Sequence, residues 1–137
     1  METVSFPGRF ESLPRVGEFV GKAAVSAGLN DKAVYAVQLA VDEACSNIID
    51  HAYGGEDLGD MVCSVIVAED GLTVILRDRG RPFNPQMVPD PQVNLPLEKI
   101  KPRGVGMYLM RKMVDEVRYE YSPEGGNILT LVKRKVS

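Results

Sequence analysis

Two apolar, β-rich runs, Met61 to Ala68 and Leu72 to Arg77, flank the dipeptide Asp70-Gly71. An Asp-Gly pair between such runs is one of the strongest hairpin signals in a single sequence, so this segment predicts two antiparallel strands. A second hairpin is expected near the end of the chain, from Val117 to Tyr121 and from Ile128 to Val132, turned by Pro123 to Asn127. Thr3 to Phe6 supplies an opening strand.

Between the opening strand and the first hairpin the period changes. Ser12 is placed to cap a helix with Pro14 in its first turn, and Leu13, Val16, Val20, Ala23 and Ala27 keep helical spacing up to a stop at Gly28. A second helix starts at Asn30 or Asp31 and runs to about Tyr53, where Gly54-Gly55 ends it. Its apolar stripe, Val34, Val37, Val41, Ala44 and Ile48, should face a sheet. At about 100° per residue, Glu43, Asn47 and Asp50 fall nearly opposite that stripe, with Ala36 and Ala40.

Prolines at 82, 85, 89, 91, 96 and 102 exclude a regular helix through most of the segment after the first hairpin. A loop of this length inside a small domain reads as a lid. Gly104-Val105-Gly106 leads from it into a helical run, Met107 to Val114.

The chain's 137 residues fit one domain, expected to span residues 1–137, with no repeats or linkers. A net charge of −3 provides no basic field for nucleic acid, and the start of the chain reads as neither a signal peptide nor a membrane anchor. A cytoplasmic protein is expected. Cys45 and Cys63 are expected to be reduced core residues, and one histidine with two scattered cysteines makes no recognisable zinc set.

Three polar clusters carry chemistry. Glu43 and Asn47, one helical turn apart, pair a possible proton acceptor with a hard oxygen suited to Mg²⁺. Taken alone, the pair reads as a solvated helix face. Asp78, in Asp78-Arg79-Gly80-Arg81-Pro82-Phe83, can accept a hydrogen bond from an exocyclic amine, or can simply pair with Arg77, Arg79 or Arg81. Gly104 and Gly106 leave N–H groups at a helix start, where phosphate is favoured and Arg103 adds charge, although glycines also serve tight turns. No P-loop or Rossmann fingerprint occurs.

In order and spacing these clusters resemble one family. Val41 to Gly54 resembles the N box of the GHKL (Bergerat-fold) ATPases, Asp78 to Phe83 their G1 box, and Gly104-Val105-Gly106-Met107-Tyr108-Leu109 their G2 box. With Met113-Val114-Asp115-Glu116-Val117 downstream, the pattern looks most like the anti-sigma factor serine/threonine kinases. The resemblance implies an α/β two-layer sandwich: a mixed, mostly antiparallel sheet with helices on one face. It implies ATP and Mg²⁺ as cofactors, with Asn47 the metal ligand, Glu43 the general base and Asp78 the reader of the adenine amine. Gly80 would line the base pocket. Arg103, Gly104, Val105, Gly106 and Met107 would contact phosphates, and Thr130 would lie at the adenine end. Asn84, where the family often has an acidic residue before Pro85, is a departure.

The implied activity is phosphorylation of a serine or threonine on an anti-sigma factor antagonist, together with sequestration of a sigma factor, and a homodimer is implied too. Two alternatives stay open: a stand-alone histidine-kinase-type catalytic domain, and a non-catalytic ATP-binding module that clamps a partner. His51 is expected to be structural because it matches a recurrent N-box histidine, and Tyr119 with Tyr121 to be sheet packing.

Overall fold

The computed structural model describes residues 1–84 and 111–136. Five strands, β1 (Glu2–Pro7), β2 (Asp60–Ala68), β3 (Gly71–Asp78), β4 (Glu116–Ser122) and β5 (Gly126–Arg134), form one sheet in the order β1-β2-β3-β5-β4. A mixed sheet was allowed for, but every strand pair among the described residues is antiparallel. Ala68 pairs with Gly71, so the turn of the first hairpin is Glu69-Asp70. Gly71 already belongs to β3, and its missing side chain makes room for β5: a Cβ there would sit 2.2 Å from the Lys133 carbonyl oxygen.

Two helices, α1 (Leu13–Ser26) and α2 (Asp31–Asn47), cover one face of the sheet. Ser12 stands at the N-cap of α1 as expected, but its hydroxyl donates to the Pro7 carbonyl at 2.8 Å and caps nothing. Gly28, with φ of 82°, ends α1 in a Schellman motif. Its N–H donates to the Val25 carbonyl, and the Leu29 N–H reaches back to Ala24. Asn30 Oδ1 then accepts from the Ala33 N–H at 2.8 Å and starts α2.

The core lies between the layers. Val16, Val20 and Ala24 of α1 and Val37, Val41, Ala44 and Cys45 of α2 pack on Met61, Cys63, Val65, Leu72, Val74, Leu76, Leu129 and Leu131. Both cysteines are free and fully buried, as expected.

The sequence reading needs correcting at the end of α2. The α-helix stops at Asn47, and Ile48–Tyr53 continues it as a π-helical turn before Gly54 closes it with φ of 81°. The face opposite the apolar stripe is not a solvated one either: Ala36, Ala40 and Asn47 are all buried. The loop that follows β3 docks on the turn after this helix, the Arg81 N–H donating to the Ala52 carbonyl.

Candidate nucleotide-binding site

Alternation along β3 points Leu72, Val74, Leu76 and Asp78 toward the helices, so a carboxylate ends a row of core side chains. Asp78 is only 5% exposed. The Gly80 N–H and Asn127 Nδ2 each donate to its Oδ1 at 2.9 Å. Among the described residues both bonds fall on one oxygen, Oδ1. Burial pushes the Asp78 pKa upward, and the hydrogen bonds from Asn127 and Gly80 oppose that rise by favouring the charged form.

The neighbouring arginines do not neutralise this carboxylate. Arg79 Nη1 donates to the Glu124 carbonyl and Arg81 Nη2 to the His51 carbonyl at 3.0 Å. Among the described residues no ion pair joins an arginine to Asp78. That removes the plainest alternative reading of the Asp-x-Gly turn.

Gly80 anchors the loop. A Cβ there would lie 2.5 Å from the backbone carbon and oxygen of Ala52, and the next N–H, on Arg81, donates to the Ala52 carbonyl at 2.7 Å. The glycine thus lets the loop dock on the π-helical turn. It is not among the residues lining the small cavity beside Asp78.

Asn127 ties the loop to the sheet. Besides Asp78, its Nδ2 donates to the Arg81 carbonyl at 2.7 Å, and its Oδ1 accepts from the Tyr119 hydroxyl and from the Phe83 N–H at 3.3 Å. The Tyr119 hydroxyl also accepts from the Phe83 N–H at 3.0 Å. His51 stacks on Phe83 with ring centroids 4.7 Å apart, the structural role expected of it.

These groups enclose a cavity of about 20 Å³, with Asn47, Asp78, Phe83, Tyr119 and Asn127 in its wall beside Ala44, Ile48 and Leu129. Such a space holds about one water. A purine needs more room, and of these wall residues Phe83 alone lies on a loop rather than on a helix or strand. Glu43 stands one turn before Asn47 on α2, half-buried, with one carboxylate oxygen shut off from solvent.

The other expected site residues divide. Arg103, Gly104, Val105, Gly106 and Met107 lie outside the described residues. Thr130 is a correction: it pairs with Ile75 and Arg118, one residue out of phase with Leu129. Period-2 alternation turns it to the sheet face away from Asp78. The residue that does face Asp78 across the β3–β5 ladder is Asn127, which sequence reasoning assigned to the turn. Tyr119, expected to pack the sheet, is likewise part of the cavity. Counting two residues back from Leu129 along β5, to the position opposite Asp78, was the signal available for Asn127.

Among the described residues no group of three His, Cys, Asp or Glu side chains can hold a metal ion alone. The buried Asn47 amide fits Mg²⁺ only as one ligand among phosphate and water oxygens, a common way for this ion to bind.

The sequence profile of the histidine kinase-like ATPase domain matches residues 6–133. The chain belongs to that family. Within it, the chain is 30% identical to a serine-protein kinase RsbW of Listeria monocytogenes serotype 4a, over 85% of its own length and 81% of the relative's. It is 28% identical to the RsbW of Halalkalibacterium halodurans, over 89% of the chain and 80% of the relative. The RsbW of Bacillus mycoides is 32% identical, but the match covers 68% of this chain and 59% of that protein. The RsbU and RsbW domains of a Mycobacterium tuberculosis protein superpose with a TM-score of 0.64 at 16% identity, covering all of this chain and 35% of the other. A histidine kinase domain from Erythrobacter litoralis gives 0.55 at 16% identity, covering 94% of this chain and 61% of the other. Membership of this ATPase family makes ATP the nucleotide. Among the described residues no helix is long and apolar enough to cross a membrane.

Proposed function

We propose that this chain is an ATP-dependent protein serine/threonine kinase, a single ATPase domain that phosphorylates an anti-sigma factor antagonist and sequesters a sigma factor in the cytoplasm. The observation that carries the reading is the meeting of Asn47 and Asp78 in one cavity, with Glu43 a turn away on the same helix. Similarity to several proteins named serine-protein kinase RsbW supports serine or threonine as the acceptor and the anti-sigma pathway as the setting.

In this reading Asp78 Oδ2 accepts a hydrogen bond from the adenine amine, and Asn127 holds Asp78 in the orientation that presents it. Asn47 would hold Mg²⁺ together with the nucleotide's phosphates, and the bound ion would supply positive charge beside the phosphoryl group. Glu43 takes the proton of the acceptor hydroxyl as its oxygen bonds to the γ-phosphorus and the bond from that phosphorus to the departing ADP breaks. Arg103 and the segment Gly104-Val105-Gly106-Met107 contact the phosphates. A homodimer and the absence of direct nucleic acid binding complete the reading.

The test is transfer of labelled phosphate from ATP to purified candidate antagonists, followed by acid treatment. Acid-stable label on serine or threonine supports the proposal. Acid-labile label points to histidine kinase chemistry, and nucleotide binding without any transfer points to a partner clamp.

A further inference from the structure

A second hollow, of about 510 Å³, lies at the start of α2, away from the cavity at Asp78. Lys32, Lys112 and Lys133 line it with Tyr35, Met113 and Val136, and no carboxylate is among its described lining residues. In a chain of net charge −3, that concentrates positive charge against the overall balance. Lys133 is held in place, its Nζ donating to the Met113 carbonyl at 2.9 Å. Tyr35 and Val136 are 64% and 82% exposed, so apolar surface is presented to solvent between the amines.

Its position relative to Glu43 gives this groove a use. Lys32, Ala36, Ala40, Glu43 and Asn47 follow one another at spacings of four, four, three and four along α2 and therefore share one stripe of the helix. From Ala36, which also lines the groove, to Glu43 is about 10 Å at the helical rise. Ala36 and Ala40 are themselves buried, so the relation is one of distance: a protein that offers a hydroxyl to Glu43 brings its neighbouring surface within reach of the groove.

We infer that the groove docks an acidic, partly apolar segment of the protein substrate, with carboxylates against Lys32 and Lys133 and an apolar side chain against Tyr35 and Met113. This inference rests on the kinase reading above and names where the acceptor protein binds. Charge complementarity of this kind acts mainly on encounter and specificity, so its loss raises KM for the protein without changing the chemical step.

The experiment takes whichever purified antagonist accepts phosphate from the wild-type chain and measures steady-state transfer to it at about 0.05 M and about 0.3 M salt. Lys32→Glu and Tyr35→Ala alter exposed side chains, and thermal melts with ATP titration check that fold and nucleotide site are intact. The expected result is a rise in KM for the antagonist of about tenfold in Lys32→Glu, with kcat and the KM for ATP unchanged and the wild-type KM rising with salt. Partial rescue of Lys32→Glu by an antagonist carrying a Glu→Lys change would support the contact further. An unaltered KM for the antagonist in both variants overturns the docking site while leaving the kinase assignment standing. Absence of transfer by the wild-type chain to any candidate overturns the kinase assignment itself, and the docking inference with it.

Discussion

Asn127 Nδ2 donates to Asp78 Oδ1 at 2.9 Å across the β3–β5 ladder, and the same amide group also binds the Arg81 carbonyl. One buried side chain therefore both orients the carboxylate and fixes the loop that follows it. Asn127→Leu keeps the approximate size but leaves Asp78 buried with one hydrogen bond fewer. The expected loss is about 3 kcal/mol, since a hydrogen bond to a charged group contributes about 1.5–3 kcal/mol and the Arg81 carbonyl is orphaned as well. Urea unfolding measures the loss, and ATP titration of the folded variant should show at least about tenfold weaker binding. Unchanged stability would remove Asn127 from the centre of the site.

Asp78→Asn separates recognition from folding. Burial raises the folded pKa of Asp78 above its unfolded value, so ionising it works against the fold. Stability is lost as pH rises from the ordinary aspartate range through the raised pKa, and the loss is constant above that window. The asparagine variant has no such loss. Its melting temperature relative to the parent should climb across the same window and then level off, while ATP affinity falls at least about tenfold for lack of a charged acceptor. Paired melts over a pH series read this directly, and a difference that shrinks with pH would contradict the assigned sign.

Gly80→Ala tests how the loop is seated. A Cβ 2.5 Å from the Ala52 backbone cannot be accommodated by a rotamer change, so the loop must lift and lose the hydrogen bond from the Arg81 N–H. The expected destabilisation is about 1–3 kcal/mol, with weakened ATP binding. A crystal structure of the variant with the loop unmoved would show that the close packing is not required.

Cys45 and Cys63 should be inert in the folded protein. Burial pushes Cys63 up to about 12 and Cys45 well above the ordinary thiol range, so neither is a thiolate near neutral pH. Alkylation with iodoacetamide followed by mass spectrometry should find both thiols unmodified in the native chain and both modified in denaturant. Rapid native labelling of either would contradict the packing around α2 and β2.

Much of this architecture was legible because each element had its own local signal. Asn30 and Gly28 marked helix ends, and the runs around Asp70-Gly71 gave β2 and β3 to within a residue or two. Asp78 and Asn47 were legible as types in a pattern, but their burial was not, because burial depends on contacts between segments distant in sequence, of which the loop at Gly80 packing on Ala52 is one. Thr130 failed for a related reason. Choosing the wrong one of two adjacent strand residues reverses the face, and only the register with β3 distinguishes them. Asn127 and Tyr119 were missed because their importance lies in hydrogen bonds to Asp78 and Phe83, far away in sequence. The π-helical turn at Ile48–Tyr53 had no signal distinct from a continuing α-helix.

The central claim is that Glu43 acts as the base of a protein kinase, and Glu43→Gln tests it most directly. The variant keeps the shape of the side chain but exchanges one acceptor oxygen for an NH₂ donor and cannot take up the proton. Transfer of phosphate from ATP to the antagonist should fall by about 10²- to 10⁴-fold, with ATP affinity retained. Transfer at the wild-type rate in that variant would contradict the account.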